Sequence, residues 1–275
     1  MCRWIAYTGP ERQLGSLIVD PGHSLLTQSR HAQQSTFEVN ADGFGIGWFK
    51  SGGWGGGMTP GVYRDVRPAW NDANLRSIAE HLSAPIFLAH IRASTAGDVA
   101  RNNCHPFRHR NWLFQHNGGI GDFHRIRHEL DCDVHPDLYA NKEGATDTET
   151  MFLLALTYGL QDDPRGGMRR MIERVEKARV DNGVDAPFHM TVATTNGATL
   201  YAARHASDDA PPSLYHSVHP DAVAKAAGET EAVSDATLIV SEPLDAVSEH
   251  WAAVPPSTFV EAVGARATTM CLMES

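Results

Sequence analysis

Thr146-Asp147-Thr148-Glu149, with the apolar run from Met151 to Leu160 behind it, is the most informative stretch of this chain. A Thr at a helix N-cap with a Glu three residues later fits a capping box, in which each residue satisfies an orphan backbone donor of the other. Beyond the box nearly every position is apolar. A surface helix alternates polar and apolar faces with a period of 3.6 residues, so a helix that is apolar nearly all round belongs between layers.

Working outward, Cys2 to Tyr7, Phe44 to Phe49, Ile86 to Arg92 and Trp112 to Asn117 alternate with period two and read as strands. Downstream, His189 to Thr194 and Thr199 to Ala203 flank Asn196-Gly197, a dipeptide suited to a tight type I′ hairpin turn. A last strand is expected at Thr237 to Ser241. Leu75, Ile78, Ala79 and Leu82 form a helical stripe behind an Asn71 or Asp72 cap. Pro164, capped by Asp163, opens another helix whose buried stripe is Met168, Met171, Ile172 and Val175. The Gly-rich stretch from Gly52 to Gly57 lacks a following Gly-Lys-Ser/Thr and reads as a hairpin connection, not a phosphate loop. Ala206 to Asp235, rich in Ala, Asp, Pro and Ser, reads as a surface excursion. No repeat, charge block or linker divides the chain, so one domain is expected.

With 275 residues, 42% hydrophobic and 20% charged, the chain can bury a sizeable core. Its net charge of −10 provides no field to draw it to nucleic acid or anionic membrane, and neither is expected as a partner. No apolar stretch approaches a bilayer span or a signal peptide, which favours a cytoplasmic setting. Cys2, Cys104, Cys132 and Cys271 are too scattered for a zinc or disulfide pattern. The fifteen His include the i, i+4 pairs His105 with His109 and His124 with His128, but without HExxH or a supporting ligand pattern. Neither a metal nor another cofactor is expected.

Cys2 directly follows the initiator Met. A residue this small normally permits Met removal, which would join a thiol and a free α-amine in one residue. Their ordinary pKa values, about 8.5 and about 7.7 to 8.0, are close enough for proton exchange at neutral pH, so nucleophile and base would come together. Position alone leaves an incidental Cys open.

Other segments accompany Cys2 in a fixed order: Met1-Cys2-Arg3-Trp4, Asn40-Ala41-Asp42-Gly43-Phe44-Gly45-Ile46-Gly47-Trp48, Ala89-His90-Ile91-Arg92-Ala93-Ser94-Thr95 and Asn103-Cys104-His105-Pro106-Phe107. His116-Asn117-Gly118, Thr146-Asp147-Thr148-Glu149 and Ser241-Glu242-Pro243-Leu244 complete the set. Together these resemble the class II glutamine amidotransferases of the N-terminal nucleophile hydrolase superfamily, from residue 2 to about residue 260. Segment pattern alone allows several α/β or α+β layouts. The resemblance implies an α+β fold, a four-layer α-β-β-α sandwich of two mostly antiparallel sheets with helices outside, over residues 1–275 as a single domain.

The resemblance also implies roles. Cys2 would attack a side-chain amide, hold a γ-glutamyl thioester and use its own amine to move protons. Asn117 and Gly118 would form the oxyanion hole. Arg92 would grip the substrate α-carboxylate and Asp147 the α-ammonium, with Thr95 and His116 lining the same pocket. His90 shares a strand face with Arg92 and reads as a core histidine; Glu149 is assigned to the cap.

Ala93 and Ala96 stand where amino-sugar synthases of the family carry larger residues, so a more open pocket is expected. The large synthases continue into an acceptor domain, and this sequence does not. The leading expectation is a stand-alone amidohydrolase acting on glutamine or a γ-glutamyl small molecule. Compact members of that kind include the hydrolase of ergothioneine synthesis. The alternatives are a subunit delivering ammonia to a separate synthase partner and a non-catalytic glutamine-binding regulator.

Overall fold

Alternate residues of a strand face opposite sides of its sheet, so the period-two segments each need a partner on both faces. The computed structural model, which describes residues 2–34, 38–50, 59–93, 98–218, 220–226 and 235–274, meets that need with two sheets face to face. The first holds β1 (Arg3–Gln13), β2 (Phe44–Phe49), β3 (Gly61–Asp65), β4 (Ser83–Ile91), β9 (Tyr215–Ser217), β10 (Thr237–Val240) and β11 (Trp251–Ala253), in the order β11-β9-β10-β1-β4-β2-β3. The second holds β5 (Phe107–His109), β6 (Trp112–Ile120), β7 (Phe188–Thr195), β8 (Leu200–Ala206), β12 (Thr258–Val263) and β13 (Arg266–Cys271), in the order β13-β12-β8-β7-β6-β5. Neighbouring strands run antiparallel throughout. The Gly52 to Gly57 stretch, Thr95 and Ala96 lie outside the described residues.

The helices are α1 (Gly15–Ile18), α2 (Leu25–Gln28), α3 (Ala73–His81), α4 (Phe123–Asp133), α5 (Pro136–Tyr139), α6 (Asp147–Thr157), α7 (Pro164–Asp181) and α8 (Pro220–Ala226). Three apolar clusters show the layering. Trp4, Ala6, Ile86 and Leu88 meet Leu113, Ala193, Ala202 and Val260 between the sheets. The opposite parity of the first sheet, Ile5, Tyr7, Phe87 and Ala89, packs beneath Leu17, Leu25 and Leu75 of α1, α2 and α3. Phe114, Met190, Val192 and Ala203 of the second sheet pack beneath α4, α6 and α7. The result is the four-layer α-β-β-α sandwich that the resemblance implied. No helix among the described residues is long and apolar enough to cross a membrane.

Helix α6 is buried without interruption from Thr148 to Leu156, and Phe152 stacks on Phe114 of β6 with centroids 5.0 Å apart. Burying each such large side chain contributes about 1.5–3 kcal/mol, enough to offset the helix's weak amphipathicity. Thr146 Oγ1 accepts from Glu149 N at 3.2 Å, as the capping box requires. The reciprocal half differs. Glu149 accepts from Glu143 N at 2.8 Å and Gly144 N at 2.6 Å, so its carboxylate secures the incoming loop and not the Thr146 amide.

Two other expectations change. The chain between Thr195 and Leu200 is a four-residue loop and not a two-residue type I′ turn: Asn196 Oδ1 accepts from Ala198 N and Thr199 N, both at 3.0 Å, and Gly197 alone takes a positive φ of 88°. The asparagine side chain satisfies the amides that a tighter turn would have paired across the hairpin. The segment after Ala206 is also more than an excursion, because it supplies α8 and strand β9, which pairs with both β10 and β11, with Leu214 and Val223 fully buried.

Candidate active site

Cys2 stands one residue before β1 and Arg92 one residue after β4. The register pairs Arg3 with Ile91 and Trp4 with His90, so Cys2 and Arg92 meet at the same end of the strand pair. By parity Cys2 continues the face of Trp4 and Ala6, and Arg92 that of Leu88 and His90, the side facing the second sheet. Cys2 Sγ donates to Ala93 O at 3.5 Å and accepts from Ala93 N at 3.4 Å. Burial pushes the Cys2 thiol above 9.0, against the opposing pull of the Ala93 bond and of Arg92 and Arg3. The resting Cys2 side chain is therefore the protonated thiol.

The N-terminal strand is anchored at its start. Trp4 N donates to Ser241 Oγ at 2.9 Å and Ser241 N to Trp4 O at 3.0 Å. Arg3, fully buried, pairs with Glu242 at 3.3 Å, and Glu242 also accepts from Gln33 N and Gln34 N at 2.9 Å and pairs with His23. Burial opposes the Glu242 charge, but His23, the two amides and Arg3 outweigh it and hold the carboxyl below its usual range. On the other flank, Asp42 N donates to Arg92 O at 3.1 Å, Arg92 N to Gly43 O at 2.8 Å, and the Arg92 guanidinium to Asp42 O at 3.5 Å. The Asn40-Ala41-Asp42-Gly43 motif thus fixes the backbone that carries Arg92.

The second sheet brings an open strand edge. β5 pairs with β6 only from Trp112 to Phe114, so among the described residues Gln115 to Ile120 carry no strand on that side. Side chains take the edge groups instead. His90 Nε2 donates to His116 O at 3.0 Å, His116 N approaches His105 Nδ1 at 3.5 Å, and Ile120 N donates to Asp147 Oδ2 at 2.9 Å. Gly118 lies between these two capped residues. The Asn117 carbonyl accepts from Thr191 Oγ1 on β7 at 3.2 Å, and in a trans peptide the following N–H points the opposite way. The Gly118 N–H is thereby turned toward the open edge. Gly118 adopts φ +137°, and a Cβ there would stand 2.0 Å from His189 O, so only glycine fits.

Asn117 is 1% exposed, yet among the described residues neither its Oδ1 nor its Nδ2 has a hydrogen-bond partner. Buried amides are rarely left in that state. Two bonds between the sheets give its location: Gln115 Nε2 to Ile5 O at 3.0 Å, and His90, which faces Trp4 across β1, to His116 O. β6 therefore advances from the level of Ile5 to that of Trp4, and Asn117 and Gly118 continue toward Cys2. Asp147 occupies the first turn of α6, where the helix dipole favours a carboxylate; its Oδ1 accepts from Thr148 N at 2.7 Å. Oδ1 also accepts from Thr148 Oγ1 at 3.4 Å, so Oδ2, with its single bond from Ile120 N, keeps a lone pair for a cation.

His116 faces the outer helix layer: its Nδ1 bonds Thr148 Oγ1 at 2.9 Å and its Nε2 bonds His189 O at 3.2 Å, so both ring nitrogens are engaged by protein. Thr95 lies outside the described residues. The Arg3–Glu242 anchor and the contacts of His105 were missed in the sequence, although Ser241-Glu242 and Cys104-His105 stood among the motifs. Among the described residues no group of three or more His, Cys, Asp or Glu is arranged to hold a metal ion.

Comparison with known proteins agrees with this fold. The family model described as class-II glutamine amidotransferases matches residues 17–273, a span that begins after Cys2. A probable glutamine amidotransferase of Saccharomyces cerevisiae, DUG3, is 29% identical over 94% of this chain and 81% of its own length. The gamma-glutamyl-hercynylcysteine sulfoxide hydrolase of Mycolicibacterium smegmatis is 36% identical, over 43% of this chain and 51% of that protein. Among solved structures, a glutamine aminotransferase class-II domain protein from Silicibacter pomeroyi superposes with a TM-score of 0.73 at 31% identity, covering 98% of this chain and 99% of that one. The glutamine phosphoribosylpyrophosphate amidotransferase of B. subtilis shares the fold, with a TM-score of 0.66 at 13% identity over 98% of this chain and 49% of that one.

Proposed function

The chain belongs to the class-II glutamine amidotransferases, and from that membership we propose an amidohydrolase that cleaves the side-chain amide of glutamine, or of a γ-glutamyl amide or amine, through Cys2. In this proposal residues 1–275 act as one domain, and removal of Met1 frees the α-amine of Cys2. The amine takes the thiol proton as sulfur attacks the amide carbon. The C–N bond then breaks, the leaving nitrogen collects that proton, and a γ-glutamyl thioester remains. Water, deprotonated by the same amine, adds to the thioester carbon. Breaking the C–S bond releases glutamate and restores the thiol.

The binding roles follow from position. Arg92, beside Cys2, pairs with the substrate α-carboxylate, where a guanidinium fork matches two oxygens. Asp147 holds the α-ammonium with the remaining lone pair of Oδ2. The Asn117 amide and the Gly118 N–H receive the tetrahedral oxygen, and family membership, not position, assigns His116 and Thr95 to the pocket wall. The observation that carries this reading is the buried Asn117 amide beside the outward-turned Gly118 N–H, a donor pair with no other use among the described residues.

The test is glutamate release by purified protein, with its N-terminus verified by mass spectrometry, from glutamine and a panel of γ-glutamyl amides and amines. Cys2→Ala is expected to keep the fold and lose turnover by at least about a thousandfold, as removal of a nucleophile does. Undiminished turnover in that variant, or activity in protein that retains Met1, would defeat the mechanism. Glutamine turned over while larger γ-glutamyl amines are refused would narrow the substrate to glutamine itself.

A further inference from the structure

Two imidazoles lie in the region where the two sheets meet, His90 on β4, 1% exposed, and His105 just before β5, 5% exposed; a third, His116 on β6, 2% exposed, turns its ring to the outer helix layer. The first two touch β6 where its neighbour strand has stopped. His105 Nδ1 is 2.8 Å from His90 Nε2, and the rings meet edge to face with centroids 4.1 Å apart. Partner chemistry fixes the protons. The His116 carbonyl can only accept, so His90 carries its hydrogen on Nε2; His105 Nδ1, facing that hydrogen and the His116 N–H, must be an acceptor. Burial acts in the same direction, pushing His90 down to about 3 and His105 well below 6.5, so both rings are neutral.

An antiparallel neighbour would offer residue 116 one acceptor for its N–H and one donor for its C=O. His105 and His90 offer that same pair. We propose that His90 and His105 stand in for the missing strand and are positioning residues, holding the His116 peptide so that Asn117 and Gly118 face the reacting carbonyl. This role rests on the amidohydrolase reading. His105 is itself seated by β2: a Cβ on Gly45 would stand 2.1 Å from His105 O, so the glycine lets this segment lie directly against the strand. The site is thus positioned from the first sheet, through two side chains, onto a strand edge of the second.

Four single variants decide the matter. His90→Gln keeps an amide donor near the Nε2 position, and His105→Asn keeps an amide acceptor near the Nδ1 position. His90→Phe and His105→Phe keep the ring bulk and remove the polar atom. Each is first checked for a cooperative thermal transition. Hydrogen exchange is then followed on the peptide covering residues 115–119, with kcat and KM for glutamate release measured in parallel. The Phe variants are expected to exchange at least about tenfold faster at that peptide. They should also lose about 10- to 100-fold in kcat with KM little changed, the effect of a misplaced transition-state contact. The Gln and Asn variants should recover most of both losses, which a merely space-filling role would not produce. Wild-type exchange in the Phe variants overturns the positioning role whether or not turnover is detected. So does wild-type kcat, or amide variants as deficient as the Phe variants. Wild-type protein that releases no glutamate would defeat the amidohydrolase reading by itself, while the exchange comparison would still decide whether the two rings hold the strand edge.

Discussion

Asn117 places a carboxamide in the interior with no group of the described residues bonded to it. An unsatisfied buried amide costs about 1–3 kcal/mol, so the residue is a burden on the empty fold. That asymmetry separates a catalytic role from a structural one. Asn117→Ala should leave the unfolding midpoint unchanged or raise it, because the substitution removes a desolvated polar group. It should also lower kcat by about 10²- to 10³-fold, the usual loss for one oxyanion donor, with little change in KM. Thermal melts and steady-state kinetics on the same preparation check both halves; a variant that is destabilised yet fully active would contradict the assignment. At this scale the sequence singled out residues that stand in short motifs, Cys2, Arg92, Asn117-Gly118 and Asp147. It was silent on His105, because a contact between a segment before β5 and residues of β4 and β6 leaves no spacing to read.

Helix α6 shows the same division at the scale of an element. Its burial followed from the unbroken apolar run, since periodicity reports which faces need cover. The partner of Glu149 did not follow, because a carboxylate at that position reaches either back to the cap or outward to the preceding loop, and loop geometry is not local information. The outward choice matters for the site, since Glu149 ties down Glu143 and Gly144 immediately ahead of the turn that carries Asp147. Two substitutions separate cap from loop. Thr146→Ala should cost about 1 kcal/mol, the ordinary value of a lost N-cap. Glu149→Ala should cost about 1–2 kcal/mol by freeing two amides, and should also raise KM through a loosened Asp147. Denaturant unfolding with parallel kinetics reads both; an unchanged KM in the Glu149 variant would confine it to the helix. Strands β9 and β11, three residues each, and β13, whose residues are mostly exposed, escaped notice because such segments carry too little alternation to register.

The whole molecule joins an acidic surface to an interior that shelters neutral imidazoles, and acidification acts on the two in opposite directions. With a net charge of −10 near pH 7, protonating surface groups relieves self-repulsion and by itself favours the folded state. The interior opposes this. His90 is held at about 3 by burial, against 6.5 for an ordinary histidine, so between those values the unfolded chain binds a proton that the folded chain refuses. Stability therefore falls as pH drops through 6.5, by about 1.4 kcal/mol per unit for one such group, or roughly 3 kcal/mol by pH 4. His105 and His116, also lowered by burial, add to the loss in the same direction. Glu242 adds later, because its stabilising charge disappears only as pH falls through a folded value already below 4.5. Denaturant unfolding at several pH values between 7.5 and 4 should show a steady decline beginning near 6.5, and His90→Gln should make the slope shallower. A free energy that stays flat or rises from pH 7 to 5 would mean that surface charge governs and that these imidazoles are not held neutral. A decline that His90→Gln leaves untouched would instead place the acid sensitivity elsewhere among the buried histidines.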